Sequence, residues 1–232
     1  MIMIGIIGAM EEEVAELVAV MENTEKSEIA GMVFNKGKFA GKDVVIVRSG
    51  IGKVNAAICT QILATVYKVD SVINTGVAGS LRAEIDIGDI VLSTDAVQHD
   101  MDTTGFGYEP GIIPRMKESY FKGDAKLLGL AEEACRVATP DIKAFKGRVV
   151  SGDQFISDKA VKERLVKQFD GYCCEMEGAA IAQAAYLNRI PFLVIRAISD
   201  KADDSAEMSY SEFEHKAIAH SVKLLTYMID KM

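Results

Sequence analysis

Residues 1–13 read MIMIGIIGAMEEE. The run from Met1 to Gly8 is apolar on both faces, as expected of a strand covered on both sides of a sheet. Three carboxylates, Glu11, Glu12 and Glu13, follow at once, where a helix opens. A signal peptide would carry a basic leading region, and a membrane span would need about 20 apolar residues; the segment meets neither requirement. It reads as a buried strand running into a helix.

The same alternation recurs along the chain. Asp43–Ser49, Ser71–Thr75, Asp89–Val97, Phe145–Ser151 and Phe192–Ser199 read as short, β-branched, apolar strands. Between them, Lys53–Tyr67 carries Val54, Ala57, Ile58 and Ile62 at helical spacing, and Met176–Asn188 is an alanine-rich helix. Ser209 and Glu212 form a capping box for a last helix, whose stripe runs through Phe213, Ala217, Leu224 and Met228. Gln98–Gly123, with Pro110 and Pro114 among Gly105, Gly107 and Gly111, reads as a long functional loop that also meets a partner subunit. The pattern predicts a single α/β domain over residues 1–232, with a central mixed sheet flanked by helices on both faces.

Composition removes several function classes. Among 232 residues, 34 acids outnumber 26 bases for a formal charge of −8, which argues against nucleic acid or an anionic membrane as partner. Cys59, Cys135, Cys173 and Cys174 show no C-x-x-C spacing and read as buried thiols in a reducing, cytoplasmic compartment. His99, His215 and His220 are scattered, so neither a metal site nor a cofactor is expected.

Five segments could carry chemistry. At the first strand end the sequence offers G-x-x-G followed by acids rather than G-x-G-x-x-G, which disfavours a dinucleotide phosphate. The helix dipole alone accounts for at least two of the three acids; one aimed into a cleft is the sharper reading. Glu175 and Glu177 flank Met176 at another helix start, where acids are ordinary unless apolar neighbours make their charge costly without a ligand such as ribose hydroxyls. Ser199 and Asp200 end an apolar strand, where ligands of open α/β sheets bind, although Asp200 could equally cap a turn. Arg196 lies inside that strand, and a buried guanidinium needs carboxylates or a ligand. Phe155, after Gly152 and Asp153, offers a flat face for a planar base, and Asn74–Gly79 reads as a small-residue loop open to close ligand approach.

Taken together, GIIGAMEEEV, SGIGKVNAA, INTGVAG, HDMDTTGFGYE, VSGDQFI, EMEGAAIA and RAISDKADD resemble the 5′-methylthioadenosine/S-adenosylhomocysteine nucleosidases of the nucleoside phosphorylase superfamily through nearly the whole chain. The resemblance implies a nucleoside phosphorylase-like fold and hydrolysis of the bond between adenine and ribose in 5′-methylthioadenosine, S-adenosylhomocysteine and 5′-deoxyadenosine, in a homodimer. It carries the water-activating base onto Glu13 and the acid that protonates adenine N7 onto Asp200. Glu177 then matches the ligand of the ribose hydroxyls with Met176 against the sugar, while Phe155 stacks on the base and Ile156 offers it backbone contacts. Arg196 organises carboxylate and water, and Met10, Ile51, Val77, Ala78, Gly79, Glu175, Ser199 and Tyr210 complete the substrate site.

Two positions depart from the family's pattern: Val77 stands where Ser is common, and Tyr210 where Phe is common near the 5′-substituent. They leave open an aminodeoxyfutalosine hydrolase. A phosphate-dependent phosphorylase is a further alternative, and would call for Arg, Ser and amides at an anion site. A non-catalytic nucleoside-binding regulator would have no need of both an acid and a base.

Overall fold

The computed structural model describes residues 2–203 and 219–232. The chain runs β1 (Met3–Gly8), α1 (Glu11–Ala19), β2 (Glu22–Ile29), β3 (Met32–Phe39), β4 (Lys42–Arg48) and α2 (Lys53–Ile62), the last continued by a π turn over Leu63–Tyr67. It goes on through β5 (Ser71–Ser80), β6 (Ile90–Gln98), β7 (Phe121–Lys122), α3 (Ala125–Ala138), β8 (Ala144–Ser151) and α4 (Lys159–Phe169). β9 (Gly171–Glu175), α5 (Gly178–Asn188), β10 (Phe192–Asp200) and a helix over residues 219–230, here α6, complete it. Among the described residues no helix is long and apolar enough to cross a membrane.

The sheet is mixed and centres on β5. β1 and β10 pair with β5 in parallel, and β4, β3 and β2 extend outward from β1. On the other side the path runs from β10 through β6, β8 and β9, and β9 returns to β5 through Gly79↔Cys174 and Ser80↔Cys173. Five strands therefore close on themselves, bringing the ends of β9 and β10 against the second half of β5.

Period-2 alternation divides the core between the two sheet faces. Ile7, Val45 and Val47 face α2 and α5, with Ala56, Cys59, Ala182 and Ala185. Ile4, Ile6, Val44 and Ile46 face α1, α3 and α6, with Val14, Leu17, Ala131, Leu224 and Met228. Leu224 and Met228 fall where the predicted stripe puts them; Ser209, Glu212, Phe213, Ala217, His215 and Tyr210 lie outside the described residues. All four cysteines are buried free thiols.

Two readings are corrected. The Asn74–Gly79 stretch is not a loop but the second half of β5, because β10 supplies ladder partners from Asn74 to Gly79; this pairing overrides the poor strand propensity of these small residues. The β2–β3 hairpin was not expected at all. Its first strand is exposed and polar up to Ile29, and only the tight turn at Ala30 and Gly31, with φ of 53° and 73°, marks it.

Candidate active site

Glu13 is placed by its own helix. It sits three residues beyond the N-cap Met10, so its carboxylate folds back to accept from the Ala9 amide at 2.6 Å and the Met10 amide at 3.0 Å. Its other oxygen accepts from the Val77 amide on β5 at 3.1 Å. Gly76 makes this approach possible: a Cβ there would stand 2.5 Å from Glu13 Oε1 and 3.1 Å from Arg196 Nη1. Burial pushes the Glu13 carboxyl above its ordinary range, while Arg196 and the three amides oppose that shift. Glu11 and Glu12 are exposed and decorate the helix start.

Asp200, at the end of β10, is 2% exposed. It accepts from the Ser199 hydroxyl at 2.9 Å and the Ala202 amide at 2.8 Å, and burial raises its carboxyl against both. Gly79 on β5 leaves room for it, since a Cβ there would lie 2.7 Å from Asp200 Oδ1.

The neighbouring acids Glu175 and Glu177 have different fates. Glu175 accepts from Arg196 Nη2 at 2.5 Å, from the Glu177 and Gly178 amides at 3.0 and 2.8 Å, and from the Ser151 hydroxyl. Although burial alone would raise its carboxyl, Arg196 and these donors hold it below the ordinary range. Glu177 accepts from the Gly52 amide at 2.8 Å. Burial, with Glu175 beside it, pushes its carboxyl up.

One cavity of about 330 Å³ gathers the predicted residues. Glu13 and Asp200 line it, with Glu175, Met176, Glu177 and Ser199 from the strand and helix ends. Met10, Ile51, Val77, Ala78 and Gly79 form more of the wall, and Phe155, 49% exposed, lies on the rim. Arg196 and Ile156 do not line it. Arg196 lies behind the wall, held by Glu175 and by Asn74 Oδ1 at 2.5 Å, and Ile156 packs with Leu165 and Phe169. No Lys, Arg or His stands among the described lining residues. A second groove, of about 680 Å³, shares Ala9, Met10 and Ile51 with this cavity.

Sequence reasoning missed Asn74 and Ser151. Asn74 donates to the Ile7 carbonyl at 3.0 Å and accepts from Arg196; Ser151 also accepts from the Ala179 amide at 2.7 Å, anchoring α5. The available signal was a polar residue in or at the end of an apolar strand, since such a group needs a partner once buried.

A family model described as the phosphorylase superfamily matches residues 3–230. The chain is 43% identical over 230 residues to a 5′-methylthioadenosine/S-adenosylhomocysteine nucleosidase of Shewanella halifaxensis, covering 99% of both chains. Among solved structures it is similar to the nucleosidase of that name from Neisseria meningitidis in complex with methylthio-immucillin-A, with TM-score 0.96, 37% identity and full coverage of both chains. The futalosine hydrolase of Helicobacter pylori superposes with TM-score 0.94 at 35% identity, over 100% of this chain and 98% of that one.

Proposed function

Because the chain belongs to the phosphorylase superfamily and to its 5′-methylthioadenosine/S-adenosylhomocysteine nucleosidases, we propose that the cavity between Glu13 and Asp200 is where it hydrolyses these nucleosides. The enzyme is an N-glycosyl hydrolase that releases adenine. The single observation carrying the assignment of roles is the placement of a carboxyl held by three amides and a second carboxyl, buried and raised by that burial, in one cavity with no cation among its described lining residues.

Adenine leaves poorly as an anion. Asp200, whose carboxyl burial raises, gives its proton to N7 as the C–N bond breaks, a contribution of about 100- to 10,000-fold. The ribosyl group then carries oxocarbenium character, while Glu177 holds the ribose hydroxyls beside Met176. Water adds to C1′ and loses its proton to Glu13, whose ionised form the Ala9, Met10 and Val77 amides favour. Phe155 stacks on the base, with Ile156 behind it. Arg196, from behind the wall, and Glu175, within it, fix one another and the start of α5. A phosphate nucleophile would enter a cavity whose charged lining residues, among those described, are all acids, which favours water.

The protein works as a homodimer in the cytoplasm, with residues 1–232 as one catalytic domain. Supporting the dimer are the exposed apolar side chains of Ile51, Val54, Ile58 and Leu187, together with Phe106 on the loop that carries Pro110 and Pro114. Four reduced, buried thiols support the compartment.

The test is adenine release from 5′-methylthioadenosine, S-adenosylhomocysteine, 5′-deoxyadenosine and aminodeoxyfutalosine, each with and without phosphate. Release without phosphate is expected, and strict phosphate dependence would overturn the hydrolytic reading. Aminodeoxyfutalosine belongs in the set because the chain is also similar to a futalosine hydrolase.

A further inference from the structure

Three loops meet beside the cavity through one ionic bracket. Lys53, at the start of α2, donates from Nζ to Asp100 Oδ1 at 2.6 Å and to Gln98 Oε1 at 3.0 Å. The other Asp100 oxygen accepts from the Asp153 amide at 3.0 Å, and Asp153 Oδ1 accepts from the Lys53 amide at 2.8 Å. Asp100 thus ties the residues after β6 to those after β8 and those before α2 in a closed circuit. Both its charge partner and its own side chain are largely buried, at 18% and 20% exposure, so the pair is less screened than a surface contact.

The packing around the bracket is close. A Cβ on Gly152 would lie 2.4 Å from His99 Nε2, and one on Gly52 would lie 3.2 Å from Asp153 Oδ1, where Gly52 also has φ of +97°. Neither loop can slide against its neighbour without losing these contacts.

What the two bracketed loops carry decides the consequence. The α2 loop presents the Gly52 amide, which holds Glu177 at 2.8 Å, and the loop after β8 presents Phe155 at the cavity rim. We propose that Asp100 is a positioning residue that sets the distance between the ribose-holding carboxylate and the base-stacking ring. It touches neither substrate nor cavity; it acts through Lys53 and Asp153. This rests on the assignment of Glu177 and Phe155 above. Glu13 and Asp200 are held by other contacts, from the Ala9, Met10 and Val77 amides and from Ser199 and Ala202. The bracket should therefore govern binding rather than the chemical step.

The experiment is steady-state cleavage of 5′-methylthioadenosine, with adenine as product inhibitor, by the full-length enzyme and its Asp100→Ala, Asp100→Glu, Lys53→Met and Asp100→Ala/Lys53→Met variants. Asp100→Ala is expected to raise KM and the adenine inhibition constant about tenfold each, while kcat stays within about threefold. Asp100→Glu should recover part of the loss, and the double variant should be no worse than Asp100→Ala, because both residues act through one link. If Asp100→Ala fails to fold, Lys53→Met carries the same KM-against-kcat comparison. A lowered Tm with KM and adenine inhibition unmoved would make the bracket purely structural and overturn the inference; so would a fall in kcat at constant KM. Absence of adenine release by the unaltered enzyme would instead defeat the functional reading on which it rests.

Discussion

Arg196 and Glu175 form an ion pair, Nη2 to Oε2 at 2.5 Å, with side chains 2% and 3% exposed. The pair links β10 to the end of β9 behind the catalytic wall, and Asn74 on β5 takes a second contact from the same guanidinium nitrogen. Three strands of the closed part of the sheet are thereby joined under the site. Removing one partner would leave an uncompensated buried charge, a larger penalty than the net worth of the pair.

Glu175→Ala is accordingly expected to lower stability by about 3–5 kcal/mol, measured by urea denaturation at neutral pH. The sign of its pH dependence follows from the lowered carboxyl of Glu175. The pair's contribution is complete above the ordinary value of 4.5 and is lost as pH falls through the lower folded value. The stability difference between parent and variant should therefore narrow below pH 4.5, and a gap independent of pH there would contradict the ion-pair account.

Asp200→Asn keeps the shape of the side chain and its acceptor toward the Ala202 amide but removes the proton donor. Adenine release should fall by about 100- to 10,000-fold. Stability should move the other way. A carboxyl whose folded pKa is raised weakens the fold progressively as pH rises above its ordinary 3.8. The Tm of the variant relative to the parent should thus increase between acid and neutral pH, and a decrease would mean that Asp200 is stabilised as the anion.

Gly76→Ala places a methyl group 2.5 Å from Glu13 Oε1. The carboxylate must shift, and a displacement of that order at a catalytic group costs about 100-fold in turnover. Circular dichroism should report an intact fold while adenine release collapses. Activity near that of the parent would show that the Glu13 position is not critical.

The pH profile of kcat/KM should have an acidic limb from Glu13, active as the anion, with its midpoint above 4.5 because burial raises this carboxyl. Loss of the Asp200 proton produces the basic limb. Glu13→Gln should abolish most turnover while costing about 1–3 kcal/mol of stability, since both Glu13 oxygens accept from backbone amides and an NH2 group would face one of them unpaired. An unchanged acidic limb in the residual activity of that variant would assign the base elsewhere.

Much of this protein is readable in one dimension. The alternation of apolar strands and amphipathic helices is a local property, and it determines an α/β chain with strand ends at Gly8, Ser151 and Ser199, the last one residue short of the observed end at Asp200. Glu13 owes its inward turn to its own helix start, three residues beyond Met10, so its exceptional place among three acids is also a local matter.

Tertiary structure decided the rest, wherever a residue's role depends on a partner far away in the chain. Nothing near Gly76 in the sequence says that β5 runs on past Thr75, because the pairing that extends it comes from β10. Glu175 and Glu177 have the same local surroundings, yet Arg196 claims one and the Gly52 amide meets the other. A carboxylate's chemistry is set by which donors and charges reach it in a dry interior, and those donors arrive only when the sheet closes.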